Sequence, residues 1–168
     1  SNIPVTRLGA TVIESLLKKT NIKPDEVDEV ILGNVLSAGV GQAPARQAAI
    51  YGGLTDAVEC TTINKMCGSG LKAIMLSNQI ILSGDSKIMI AGGMENMSLS
   101  PHILSNSRTG NRLGHGKIID TMIIDGLWDV YGQTHMGNCA ELCAKEYNFS
   151  REDQDKFAIG SYRKSQQA

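Results

Sequence analysis

Four cysteines, at 60, 67, 139 and 143, are the residues of this sequence best suited to covalent chemistry. Cys67 has the most unusual setting. In "TTINKMCGSGLKAIM" it stands between a short β-type run and an apolar run of helical spacing. A residue at a strand-to-helix turn lies at the helix N-terminus. Unpaired backbone N–H groups and the macrodipole there favour negative charge. That suits a thiolate nucleophile. Gly68 and Gly70 leave the backbone bare, so an acyl group can approach and N–H donors can face its oxygen. The same spacing also fits an inert, buried cysteine beside glycines needed only for packing, and the residues alone leave both readings open.

Other constellations are weaker. His135, Cys139 and Cys143 recur at i, i+4 and i+8. On a helix this is one stripe about 12 Å long, too long for three ligands of one tetrahedral ion. No metal is expected, and the two cysteines read as small core-facing residues. Asp120 and Asp125 read as surface carboxylates. "GVGQAPA" lacks the Lys-Ser/Thr of a phosphate loop and reads as a packing loop near Cys67.

The elements that must position these residues follow from periodicity. Leu8, Val12, Ile13, Leu16 and Leu17 predict a helix over about 6–20. "VILGNV", "VECTTIN" and "KIMIAGG" predict strands. Pro44 opens a helix that stops at Gly52-Gly53. "SGLKAIMLSNQIILSG" places Leu71, Ile74, Met75, Asn78, Ile81 and Leu82 on another, closed by Gly84. Ser150, three residues before Asp153, reads as a capping-box start. Helix and strand alternate with short connections, which predicts an α/β layered domain. The character changes after about Pro101, and a boundary is expected near 100–120.

The bulk composition sets limits. The 168 residues are 42% hydrophobic and 20% charged, with a net charge of −1. This suits a globular protein with a core and offers no field for nucleic acid or an anionic membrane. No apolar run is long enough to span a bilayer. The first residues have no apolar signal core. The sparse cysteines, without CxxC, point to reduced thiols and a cytoplasmic location.

"TTINKMCGSGLKAIM" followed by "IAGGMENMS" closely resembles the thiolase family, in particular its acetyl-CoA acetyltransferases. "GNVLSAGVGQAPARQAA", "DTMIIDGLWDVYGQTHMG" and "SREDQDKFAIGSYRKSQQA" resemble the same family in the same order, so the likeness covers essentially the whole chain. It implies an α/β thiolase-like layered domain, a mixed sheet with helices on its faces, over 1–100. The start of a CoA-binding loop domain is expected over 101–168. It implies that Cys67 is the nucleophile, with its N–H helping to hold an oxyanion. Two acetyl-CoA molecules would condense to acetoacetyl-CoA and CoA through an acetyl-cysteine, or the reverse. CoA thioesters would be substrates, with no separate cofactor. His135 and Met136 match a His-Met pair that lines the pantetheine tunnel; for His135 the other reading is a helix-capping histidine. Leu127 matches a pantetheine contact; its other reading is plain core. A homodimer or homotetramer is expected.

Three family motifs are not found in these residues: the "GHP" histidine, the "NEAF" asparagine and the "CxGGG" cysteine. The family's first strand is missing as well. The resemblance therefore implies an N-terminal piece of a longer chain, inactive alone and prone to associate through uncovered apolar surface. The alternatives are a degradative 3-ketoacyl-CoA thiolase and a non-catalytic, thiolase-derived assembly module.

Overall fold

The computed structural model of the chain describes residues 2–168. The chain forms two compact units, Ser1–Gly126 and Leu127–Ala168. The first is built on three parallel strands, β1 (Glu29–Gly33), β2 (Glu59–Ile63) and β3 (Met89–Gly93). Their order is β2-β1-β3, so β1 is central. The register aligns Gly33 with Ile63 on one side and with Gly93 on the other, so all three strands end level.

Parallel strands need crossover connections. Here α2 (Pro44–Tyr51) joins β1 to β2, and α3 (Ser69–Ser83) joins β2 to β3. Pro44 sits in the first turn of α2, where its missing N–H costs nothing. Gly84 closes α3 with φ at 87°, a left-handed C-cap. The helix expected over about 6–20 is α1 (Val5–Thr20).

Alternation along β1 divides the helices between two faces. Val30 and Leu32 join a core with Val5 and Ile13 of α1, Ala45, Ala48 and Ala49 of α2, and Ile90. Ile31 and Gly33 point the other way, and there Gly33 meets Ser69 of α3. The expected α/β layering is what the chain adopts. On α3, Ala73 and Ser77 are buried, while Leu71, Ile74, Met75 and Leu82 stand exposed as an apolar face.

Asp28 stitches β1 to the approach of β3. Its carboxylate accepts from Lys87 N at 2.7 Å and Ile88 N at 2.9 Å. The Ile88 bond, then the Lys87 bond, holds its pKa below the ordinary value. A depressed carboxyl pKa stabilises the fold above the unfolded value and loses that contribution as pH falls through the folded one. Asp28→Asn should therefore flatten the fall in melting temperature below about pH 4. Parallel pH–melting curves for both proteins would count against this role.

Past β3 the strands are short. β4 (His102–Leu104) and β5 (Ile118–Asp120) form an antiparallel ribbon in the first unit. The second unit holds a hairpin, β6 (Trp128–Asp129) with β7 (Thr134–His135), and two helices, α4 (Met136–Glu146) and α5 (Arg151–Gln167). α5 opens with the expected capping box. Ser150 Oγ accepts from Asp153 N at 3.1 Å, and Asp153 Oδ2 accepts from Ser150 N at 3.0 Å. Among the described residues no helix is long and apolar enough to cross a membrane.

Candidate active site

Cys67 lies where the sequence predicts, on the turn between β2 and α3, and it is exposed. The C-terminal edge of a parallel sheet is where open α/β folds bind ligands. Two features press the turn onto that edge. A Cβ on Gly33 would come within 2.5 Å of Ser69 Cβ and 2.8 Å of Gly70 N. A Cβ on Gly93 would come within 3.3 Å of Gly70 Cα. Only bare backbone fits between the helix and the sheet at these points.

The turn is tied by its own residues. Met66 has φ at 50°, in the left-handed region that side chains disfavour. Its N–H donates to Asn64 Oδ1 at 2.9 Å. Ser69, buried at 5% exposure, accepts from Lys65 N at 2.8 Å and donates to Met66 O at 2.6 Å.

Glu95, in "GGMENMS", ties the ends of β1 and β3 together. Its carboxylate accepts from Asn34 Nδ2 at 2.8 Å, Val35 N at 2.8 Å and Leu36 N at 3.2 Å. Met94 N donates to Gly33 O at 2.9 Å on the same seam. Sequence reasoning quoted this motif for its likeness but assigned Glu95 no task. The signal was a single acid two residues after the glycine pair that ends β3.

Leu127, His135 and Met136 belong to the second unit, Cys67 to the first. The hairpin groups the three. Leu127 is half-buried and precedes Trp128, which pairs with His135. His135 caps α4, its Nδ1 accepting from Gly137 N at 3.0 Å. This is the capping geometry weighed for it. Met136 opens α4 and is exposed. Cys139 and Cys143, expected to face a core, are half-buried and exposed respectively. The reason is that α4 buries none of its residues. Among the described residues no group of three or more His, Cys, Asp or Glu side chains could hold a metal. The loop before α2 closes on itself: Gln47 Nε2 donates to Gln42 O at 2.7 Å and Val40 O at 3.2 Å.

The four thiols differ in surroundings. Burial pushes the Cys60 thiol up, against the opposing charge of Arg46. Cys139 is half-buried, and Cys143 sits in the last turn of α4, at the opposite end of a helix from the setting of Cys67. Brief iodoacetamide treatment near neutral pH should therefore label Cys67 first, as read by peptide mass mapping. Earlier labelling of Cys60, Cys139 or Cys143 would refute the assignment of Cys67.

Comparison with known proteins shows the family. A family profile described as "Thiolase, N-terminal domain" matches residues 1–168. The chain is 56% identical over 168 residues to the acetyl-CoA acetyltransferase of Cupriavidus necator, covering all of this chain and 43% of the relative. It is 53% identical over 167 residues to a probable acetyl-CoA acyltransferase of Staphylococcus aureus, covering 99% and 42%. Against acetyl-CoA acetyltransferase 2 of Arabidopsis thaliana it is 50% identical over 162 residues, covering 96% and 40%. The chain thus spans less than half the length of these curated relatives. It belongs to the thiolase family and carries that family's N-terminal domain.

Proposed function

We propose that this chain supplies the acyl-accepting nucleophile of an acetyl-CoA acetyltransferase. The observation that carries the reading is Cys67, exposed on a clamped strand-to-helix turn at the C-terminal edge of a parallel sheet. The relatives' names supply the substrate class.

The chemistry follows from the thioester. The Cys67 sulfur attacks the carbonyl carbon of acetyl-CoA, and negative charge collects on the carbonyl oxygen. Backbone N–H groups at the start of α3 are the donors closest in sequence to that charge. The C–S bond to CoA breaks, CoA leaves with a proton, and the acetyl group remains as a cysteine thioester. A second acetyl-CoA then loses an α-proton. Its carbanion attacks the acetyl carbon, the Cys67 sulfur leaves, and acetoacetyl-CoA is released. Thiolysis is the reverse. We assign the bases for these proton transfers to the part of the relatives that this chain does not span.

Residues 1–100 are read as the thiolase N-terminal domain and 101–168 as the start of a CoA-binding loop domain. Leu127, His135 and Met136 are read there as contacts of the pantetheine arm. No resident cofactor is needed; CoA thioesters enter as substrates. The protein is read as a cytoplasmic homodimer or homotetramer of acyl-CoA metabolism. Its four free cysteines and the exposed apolar face of α3 support that reading. Neither nucleic acid nor membrane is a partner.

The test is a fusion in which these residues replace the matching stretch of the Cupriavidus necator relative. It should cleave acetoacetyl-CoA on addition of free CoA, and acetyl-CoA should leave an acetyl group on the peptide containing Cys67. A folded fusion that does neither overturns the reading.

A further inference from the structure

We propose that Ser69 positions Cys67. The proposal rests on the reading of Cys67 as acyl acceptor, but its geometry is independent of any substrate. Cys67 is exposed, so the direction of its Cα–Cβ bond is set by the turn that carries it. The residue before it, Met66, has φ at 50°. An unbranched side chain seldom holds that backbone unless the surroundings impose it.

Ser69 imposes it. Its hydroxyl has one proton and donates it to Met66 O at 2.6 Å; the same oxygen accepts from Lys65 N at 2.8 Å. The two bonds grip the chain on either side of the left-handed residue. The grip is firm because Ser69 cannot retreat. It is buried, and its Cβ lies against Gly33 in the central strand. The sheet thus holds Ser69, Ser69 holds Met66, and Met66 aims Cys67.

A serine near a helix start usually caps the helix. Ser69 does not. The N-cap of α3 is Gly68, and no side chain caps it. The Ser69 hydroxyl faces back into the turn instead of forward into the helix. Asn64 Oδ1, accepting from Met66 N at 2.9 Å, is a further side-chain tie on the same turn. Without the Ser69 hydroxyl, Lys65 N loses its acceptor and Met66 keeps only the Asn64 bond and the backbone bond from Ser69 N at 3.0 Å, so the turn loosens and Cys67 swings away from the helix end.

The experiment reads the alkylation rate of Cys67 by iodoacetamide relative to that of Cys143 in the same molecule. Cys143 lies in the other unit and serves as an internal control. Ser69→Ala should lower the ratio about tenfold, the scale of a small misplacement. Ser69→Thr, which keeps the hydroxyl, should hold it within about twofold. An unchanged ratio in Ser69→Ala, or an equal fall in Ser69→Thr, overturns the proposal. Should Ser69→Ala fail to fold, Met66→Asn is added to it, because asparagine takes left-handed backbone more readily. Fold and ratio should then return; a pair that stays unfolded or slow overturns the proposal. Alkylation needs no CoA thioester. A fusion without turnover therefore leaves the Ser69 result standing, and a null Ser69 result leaves the fusion's turnover standing.

Discussion

Cys67→Ala in the fusion should lower acetoacetyl-CoA thiolysis by at least about 10⁴-fold, the usual cost of losing one member of a coupled nucleophile–base unit. That corresponds to about 5 kcal/mol of lost transition-state stabilisation. The melting temperature should stay within about 2 °C, since an exposed thiol contributes little to packing. The two readouts together separate chemistry from folding. The 168 residues alone should show no turnover. Of their three histidines, His135 caps α4, His102 pairs in the ribbon with β5, and His115 is exposed between them. The assay is the fall in absorbance of the acetoacetyl-CoA enolate. A Cys67→Ala fusion that keeps its rate would remove the nucleophile from this account.

Gly33→Ala should cost about 3 kcal/mol, at the upper end for overpacking a tight contact. The added methyl would meet Ser69 Cβ at 2.5 Å, Ser69 C at 2.7 Å and Gly70 N at 2.8 Å. Two of those atoms are backbone, so rotation of a side chain cannot make room. Either α3 lifts off the sheet or β1 distorts. The expected fall in melting temperature is about 10 °C. Gly160→Ala is the control. Nothing lies within 4 Å of a Cβ at that position in α5, and alanine is the better helix former. A Gly33→Ala protein that melts with the native one would mean that helix and sheet are not in the contact described.

Most elements of the first unit were legible because each carries its own pattern. The apolar spacing of Leu8 to Leu17 marks α1, and Pro44 marks the start of α2. The apolar runs "VILG" and "IMIAGG" and the β-branched "TTI" mark the strands. The order β2-β1-β3 was not legible, because a short buried run says nothing about which neighbour it pairs with. The ribbons β4–β5 and β6–β7 were missed because strands of two or three residues are too short to alternate.

At the site, Cys67 could be found from the strand-glycine-helix sequence around it. Ser69 and Glu95 could not be given their tasks. The Ser69 clamp depends on Gly33, 36 positions earlier, and Glu95 ties residues about 60 positions away. Cys139 and Cys143 went astray for a different reason. Helical spacing shows that residues share a face, not that anything covers it.

The meeting of Gly33, Gly70 and Gly93 also has a genetic consequence. Most packing errors can be repaired by a second change that trims the opposing side chain. Here a methyl on Gly33 strikes Ser69 carbonyl carbon and Gly70 nitrogen, and a methyl on Gly93 faces Gly70 Cα. Trimming Ser69 would relieve only its Cβ contact at 2.5 Å, and the backbone contacts at 2.7 Å and 2.8 Å would remain. Suppressors of Gly33→Ala should therefore be true revertants or changes that shift α3 as a body, and none should arise by shortening a partner at this contact. The seam beneath Cys67 has no local second solution.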